Sequence, residues 1–264
     1  MIAIENVSFS YGEKSILRHV SFAVENKGIV VITGKNGSGK STLALLLSGM
    51  LTPQNGMVII NGIACTDYEG FETAKRDIGI VFENPENQFI TTSVERELAF
   101  GLENHCVRNK QMRSRVEETI KQFSLEDIRY RSPHTLSGGE KQKVAIASIM
   151  ILQPQFLILD EPTIFLDPSS RGMIRELIRE LRKTVSIIFI SQFPSDILLG
   201  DKVYVLGDGT LTGPVDKKDM TETEMYQTPQ MKFLDILQNS GFYHGKDIPR
   251  VESLCKLIVD SKKQ

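Results

Sequence analysis

The residues Gly34-Lys35-Asn36-Gly37-Ser38-Gly39-Lys40-Ser41 fit the pattern G-x-x-x-x-G-K-[ST]. They follow an apolar, β-branched run at 28–33 and open a helical pattern at 40–50. A phosphate-binding loop requires that setting. Gly34, Gly37 and Gly39 let the backbone curl, so that N–H groups around Asn36 and Ser38 turn inward toward phosphate oxygens. The start of the following helix adds a positive dipole. Lys40 is then expected to reach the terminal phosphates, Ser41 to bind Mg²⁺, and Thr42 to hydrogen-bond phosphate. The alternative is a bare glycine-rich turn, and the strand–loop–helix order counts against it.

A second candidate is Phe156-Leu157-Ile158-Leu159-Asp160-Glu161, an apolar strand ending in two carboxylates. Beside a phosphate loop, an Asp in this place helps hold Mg²⁺. A neighbouring carboxylate can polarise the attacking water. Asp160 is therefore the metal candidate and Glu161 the base candidate. Taken alone, such a strand end is common and decides nothing. A third candidate is Leu136-Ser137-Gly138-Gly139-Glu140-Lys141-Gln142, ahead of a helical pattern. Ser137 is a natural N-cap, and the two glycines expose backbone N–H groups. By itself this reads equally well as a plain helix cap.

These residues need elements to hold them. Residues 1–24 alternate apolar and polar in short runs and predict a hairpin of half-buried strands. The run 28–33 predicts a strand buried on both faces. Further strands are expected at 57–61, 78–82, 156–160, 186–191 and 203–206, the last joined through Gly207-Asp208-Gly209 to a partner at 210–211. Helical spacing covers 96–102, 112–123, 137–152 and 169–183. The order predicts an α/β fold: a mostly parallel sheet covered by helices, with an antiparallel subsheet and a helical subdomain inserted at about 88–150. The main domain is expected to run over 1–215. Residues 216–264 are expected to form a short helical C-terminal extension.

Composition narrows the class. The chain has 264 residues, 24% of them charged and 41% hydrophobic, as in ordinary globular proteins. A net charge of −2 provides no basic field for nucleic acid. Cys65, Cys106 and Cys255 are odd in number and far apart, which fits neither a disulfide framework nor a metal cluster. The apolar runs are far shorter than the roughly 20 residues of a membrane-spanning helix. A role at a membrane therefore implies recruitment by other subunits, at its cytoplasmic face.

Together the three segments resemble the ATP-binding-cassette ATPases, P-loop NTPases whose signature normally reads LSGGQ. In that family two cassettes pair head to tail, each ATP lying between one phosphate loop and the other signature. The resemblance implies that Ser137, Gly138 and Gly139 touch ATP held by a partner cassette. It implies that Tyr11 stacks on adenine and that Asp167 is the interface aspartate of the loop after Glu161. Residues 81–89 (Val-Phe-Glu-Asn-Pro-Glu-Asn-Gln-Phe), with Thr92-Ser93-Val94-Glu95 and Ala99-Phe100-Gly101, are most similar to the ATPases of energy-coupling-factor importers. Those importers take up vitamins or transition-metal ions. The implied cofactors are ATP and Mg²⁺. The implied partners are a second ATPase, a transmembrane coupling subunit and a substrate-binding membrane subunit.

Two positions depart from the family pattern. Glu83 stands where the family has Gln before Asn-Pro. It still offers oxygen to Mg²⁺ but adds negative charge. Gln192 stands where the family has a His that contacts the γ-phosphate. Gln donates a hydrogen bond without a positive charge. The expectation is a slow site of its own, in one half of an asymmetric pair. The competing readings are an ATP-gated clamp without turnover and a soluble cassette protein of DNA repair or translation.

Overall fold

The structure is a computed structural model that describes residues 1–25 and 27–215. The expected C-terminal extension lies outside the described residues.

The main sheet is built from β3 (Gly28–Thr33), β6 (Ile78–Val81), β7 (Phe156–Asp160), β8 (Ser186–Ile190), β9 (Lys202–Gly207) and β10 (Thr210–Val215). Their order is β10-β9-β3-β8-β7-β6, parallel throughout except for the β9–β10 hairpin. A second, antiparallel sheet has the order β2-β1-β4-β5, with β1 (Ile2–Tyr11), β2 (Lys14–Val24), β4 (Asn55–Ile60) and β5 (Ile63–Ala64). The expected α/β class and mixed sheet are what the chain forms.

Strand alternation divides the interior in two. Val30, Ile32, Ile158, Ile188 and Ile190 face α1 (Lys40–Leu47), which packs in one core with Ile2, Ile4, Leu17 and Val20 of the second sheet. Ile29, Val31, Leu157, Leu159, Ile187 and Phe189 face the other core. There they meet α3 (Val94–Asn104), α4 (Asn109–Gln122), α5 (Gly138–Met150) and α6 (Pro168–Leu181). Each central strand is therefore apolar on both sides, which is why its sequence is a continuous run and not an alternation.

Two differences from the sequence reading have local causes. The first helix stops at Leu47, not at 50, because Gly49 turns into the left-handed region at φ 71° and ends it. The helix α2 (Tyr68–Ala74) was not expected. It buries only Phe71 and Ala74, too few to show a period, and is started by Asp67, whose side chain accepts from the Gly70 N–H. The first two strands are half-buried, as their alternation predicts, with α1 covering one face of their sheet. A short helix, α7 (Pro194–Ile197), follows β8.

Candidate active site

The phosphate loop joins β3 to α1. A Cβ at Gly34 would stand 2.1 Å from the Leu206 carbonyl oxygen. Gly39 sits at φ 103°, where a Cβ would also press Ile16 at 2.9 Å. Both positions therefore demand glycine. Lys40 is buried, and its ammonium donates to the carbonyls of Gly34 at 3.0 Å and Lys35 at 3.2 Å. It also lies 3.2 Å from a Glu161 carboxylate oxygen.

The alternation that sends Phe156 and Ile158 toward α1 sends Asp160 the same way. Ser41, at the start of α1, favours the charged form of the Asp160 carboxylate. Glu161 leaves the strand at φ 49°, in the left-handed region, at a cost of roughly 1–3 kcal/mol. Its N–H is held by the Ile190 carbonyl at 3.0 Å.

Burial pushes both carboxyls above the usual carboxylate range. Ser41 and Lys40 oppose this at Asp160, and Lys40 opposes it at Glu161. The charge of Glu83 raises both further, so this departure from the family pattern is felt at the candidate catalytic pair.

Glu83 sits in the loop after β6. Gln88 folds that loop back on its own strand, accepting from the Phe82 N–H at 3.1 Å and donating to the Ile80 carbonyl at 3.3 Å. Asn84 starts the turn by accepting from the Glu86 N–H at 3.0 Å. Glu86 pairs with Lys141 of α5. Sequence reasoning did not assign Gln88 or Lys141 a role in shaping this loop. The Asn-Pro pair was a visible turn signal, but the tie to α5 was not.

The remaining candidates fall in different places. Gly34, Asn36, Gly37 and Ser38 line an open cleft of about 550 Å³ together with Lys14, Arg18 and the β9–β10 turn. Tyr11 is half exposed at the end of β1, edge-on to Phe9, and is not among the residues lining that cleft. Thr42 is buried on α1. Ser137 forms a reciprocal cap with Glu140 at the start of α5. A Cβ on Gly139 would meet the Ser170 hydroxyl oxygen at 2.7 Å. Gly138 and Glu83 line a separate cleft of about 320 Å³ beside Phe165 and Leu166. Asp167 caps α6, accepting from the N–H groups of Ser169 and Ser170. Gln192 is half-buried beyond β8.

The oxygen donors around Asp160 suit a hard cation such as Mg²⁺. Asp160 Oδ1 is buried and has no hydrogen-bond partner among the described residues. Also among the described residues, no group of three or more His, Cys, Asp or Glu is placed to hold a metal unaided.

Comparison with known proteins gives one answer. The ABC transporter family model matches residues 17–164. The energy-coupling factor transporter ATP-binding protein EcfA of Methanosarcina acetivorans is 41% identical over 80% of this chain and 78% of its own length. EcfA1 of Clostridium perfringens is 38% identical over 97% of this chain and 89% of its own. Among solved structures, cbiO1 from Clostridium perfringens, part of the ABC transporter complex cbiONQ, superposes with a TM-score of 0.78. It is 29% identical and covers 91% of this chain and 98% of its own. A dimeric ATP-binding cassette in a post-hydrolysis state with ADP and Pi superposes at 0.71. It is 25% identical and covers 82% of this chain and all of its own. With its phosphate loop, acidic strand end and capped glycine pair on this fold, the chain belongs to the ABC transporter ATPases, in the group of energy-coupling factor transporter ATP-binding proteins.

Proposed function

We propose that this chain powers an energy-coupling-factor importer as one of two unlike ATPases, and that its own phosphate-loop site is the slower of the pair. Gln192, in the place of the family's histidine, carries the reading. Gln192 brings no positive charge to the γ-phosphate, while Glu83 adds negative charge near Asp160 and Glu161.

In the proposed cycle a phosphate oxygen replaces the Gly34 and Lys35 carbonyls and the Glu161 carboxylate as partner of Lys40. Glu161, released from Lys40, orients and polarises the attacking water. Gln192 donates a hydrogen bond to the γ-phosphate without charge. Ser41 and Asp160, with Glu83 as a further oxygen donor, would hold Mg²⁺, which would supply positive charge against the β- and γ-phosphates. Asn36, Ser38 and Thr42 bind phosphate, and Tyr11 stacks on adenine. Ser137, Gly138 and Gly139 complete the site of the partner cassette, with Asp167 at the interface. The cassette is assigned to 1–215, its helical insertion to about 88–150 and its extension to 216–264. Among the described residues no helix is long and apolar enough to cross a membrane. The chain then sits peripherally on the cytoplasmic face, against a transmembrane coupling subunit and a substrate-binding subunit.

Gln192→His tests the slow site. Charge-stabilising contacts often contribute about 10²–10³-fold in rate, so turnover at this chain's own site in the assembled transporter should rise severalfold or more. Unchanged turnover would count against a degenerate site. An ATP-gated clamp is the second reading, favoured by Glu83 and Gln192. Under that reading Glu161→Gln leaves turnover of the complex unchanged.

A further inference from the structure

Asp196 of α7 is wholly buried, as are Thr163 and Ser191. Its Oδ2 accepts from the Thr163 hydroxyl at 2.7 Å and from the Ser191 hydroxyl at 2.7 Å. Its Oδ1 faces Arg175 Nε of α6 at 2.5 Å. Arg175 also donates to the Ser195 hydroxyl. Ser191 Oγ in turn accepts from the Phe193 N–H at 3.1 Å, closing a turn around Gln192.

The places of the two hydroxyls give this cluster its meaning. Thr163 lies two residues after Glu161, and Ser191 immediately precedes Gln192. A single carboxylate oxygen therefore clamps the segments that carry the candidate base and the candidate γ-phosphate contact. Glu161 needs such support, because its left-handed backbone persists only where the surroundings over-determine it. A buried ion pair is a weak stabiliser, since desolvation offsets the attraction. Its directed bonds instead fix geometry.

We infer that Asp196 is a positioning residue for ATP hydrolysis, holding the Glu161 and Gln192 segments at one set distance from each other, with Arg175 as its counter-ion. The inference rests on the hydrolytic roles proposed above for those two residues. Asp196 touches no reacting atom. It acts through Thr163 and Ser191.

The test measures ATP affinity and turnover at this chain's own site, in the assembled transporter with the partner cassette's catalytic carboxylate changed to its amide, for Asp196→Asn, Thr163→Val, Thr163→Ser and Glu161→Gln. Asp196→Asn keeps the shape of the side chain. Its amide, turned to Arg175, sets donor against donor; turned to the two hydroxyls, it leaves their O–H groups without an acceptor. Misplacement on the ångström scale costs up to about 100-fold in rate. We expect kcat to fall about 10- to 100-fold in Asp196→Asn, with KM and ATP affinity within about twofold of the parent. Thr163→Val should show the same split without touching the ion pair, and so answers even if Asp196→Asn does not fold. Thr163→Ser, which keeps the hydroxyl, should recover turnover relative to Thr163→Val. Loss of ATP affinity in step with kcat would mean a merely structural role and would overturn the inference. Full turnover in both Asp196→Asn and Thr163→Val, with Glu161→Gln impaired, would overturn the inference alone. Full turnover in Glu161→Gln would remove the hydrolytic reading itself, and the inference with it.

Discussion

Lys40 and the two carboxylates at the end of β7 share a small buried volume, and their mutual electrostatics set what the site does. Asp160 is held above the usual carboxylate range first by burial and then by the charge of Glu83, against Ser41 and Lys40. A carboxyl whose folded pKa is raised contributes stability that is full below its unfolded pKa, about 3.9, and is lost as pH rises through the raised value. Asp160→Asn removes a charge that burial penalises. The variant, without added nucleotide, should therefore melt at a higher temperature than the parent at pH 7.5. The gap should close as pH falls toward about 4. Thermal melts across that range check it, and a gap independent of pH would mean that the charge is not the cause. Hydrolysis should be lost in the same variant, since the candidate metal oxygen becomes an amide.

At the scale of elements, the start of α5 serves two purposes that can be separated. Ser137 Oγ accepts from the Glu140 N–H, while Glu140 accepts from the Ser137 N–H and hydroxyl, each at 2.8 Å. Loss of an N-cap costs about 0.5–2 kcal/mol. Ser137→Ala should therefore lower Tm by a few degrees, at about 2–4 °C per kcal/mol for a domain of this size. Ser137→Asp keeps a capping oxygen and should restore most of that Tm. If Ser137 also reaches the ATP of a partner cassette, its ATP-driven pairing should stay impaired. Wild-type pairing in Ser137→Asp would leave the residue as a cap and no more. The cap was legible in the sequence, because Ser137 and Glu140 stand at the spacing of a capping box. The nearness of Gly139 to Ser170 of α6 was not legible, since it depends on how two distant helices cross.

At the scale of the whole molecule, the proposed asymmetry predicts company. Tagged protein purified from native membranes should carry a second, different phosphate-loop ATPase and membrane proteins, identified by mass spectrometry. Recovery with membrane proteins but no second ATPase would mean a homodimer, in which Gln192 must sustain turnover. Recovery without any membrane protein would overturn the transporter reading. The tie from the Glu83 loop to α5 through Glu86 and Lys141 joins the phosphate site to the helical layer. That is the direction in which a docked membrane subunit would have to sense ATP.

The chain's local pattern by itself determined the phosphate loop, the buried strands that flank it and the acidic end of β7. Each is written in consecutive residues, and backbone sterics, strand alternation and helix capping act over a few positions. The resemblance to the cassette ATPases marked Gln192 and Glu83 as departures. Only the tertiary structure decided which strand lies beside which. With β8 between β3 and β7, the ends of three strands converge, Lys40 meets Glu161, and Thr163 meets Ser191 on Asp196. Asp196 drew no notice in the sequence, being one acid in the apolar stretch 193–199. Its partners come from β-strand ends and helices far apart along the chain, and strand order is set by the global burial of two apolar faces rather than by any local residue pattern.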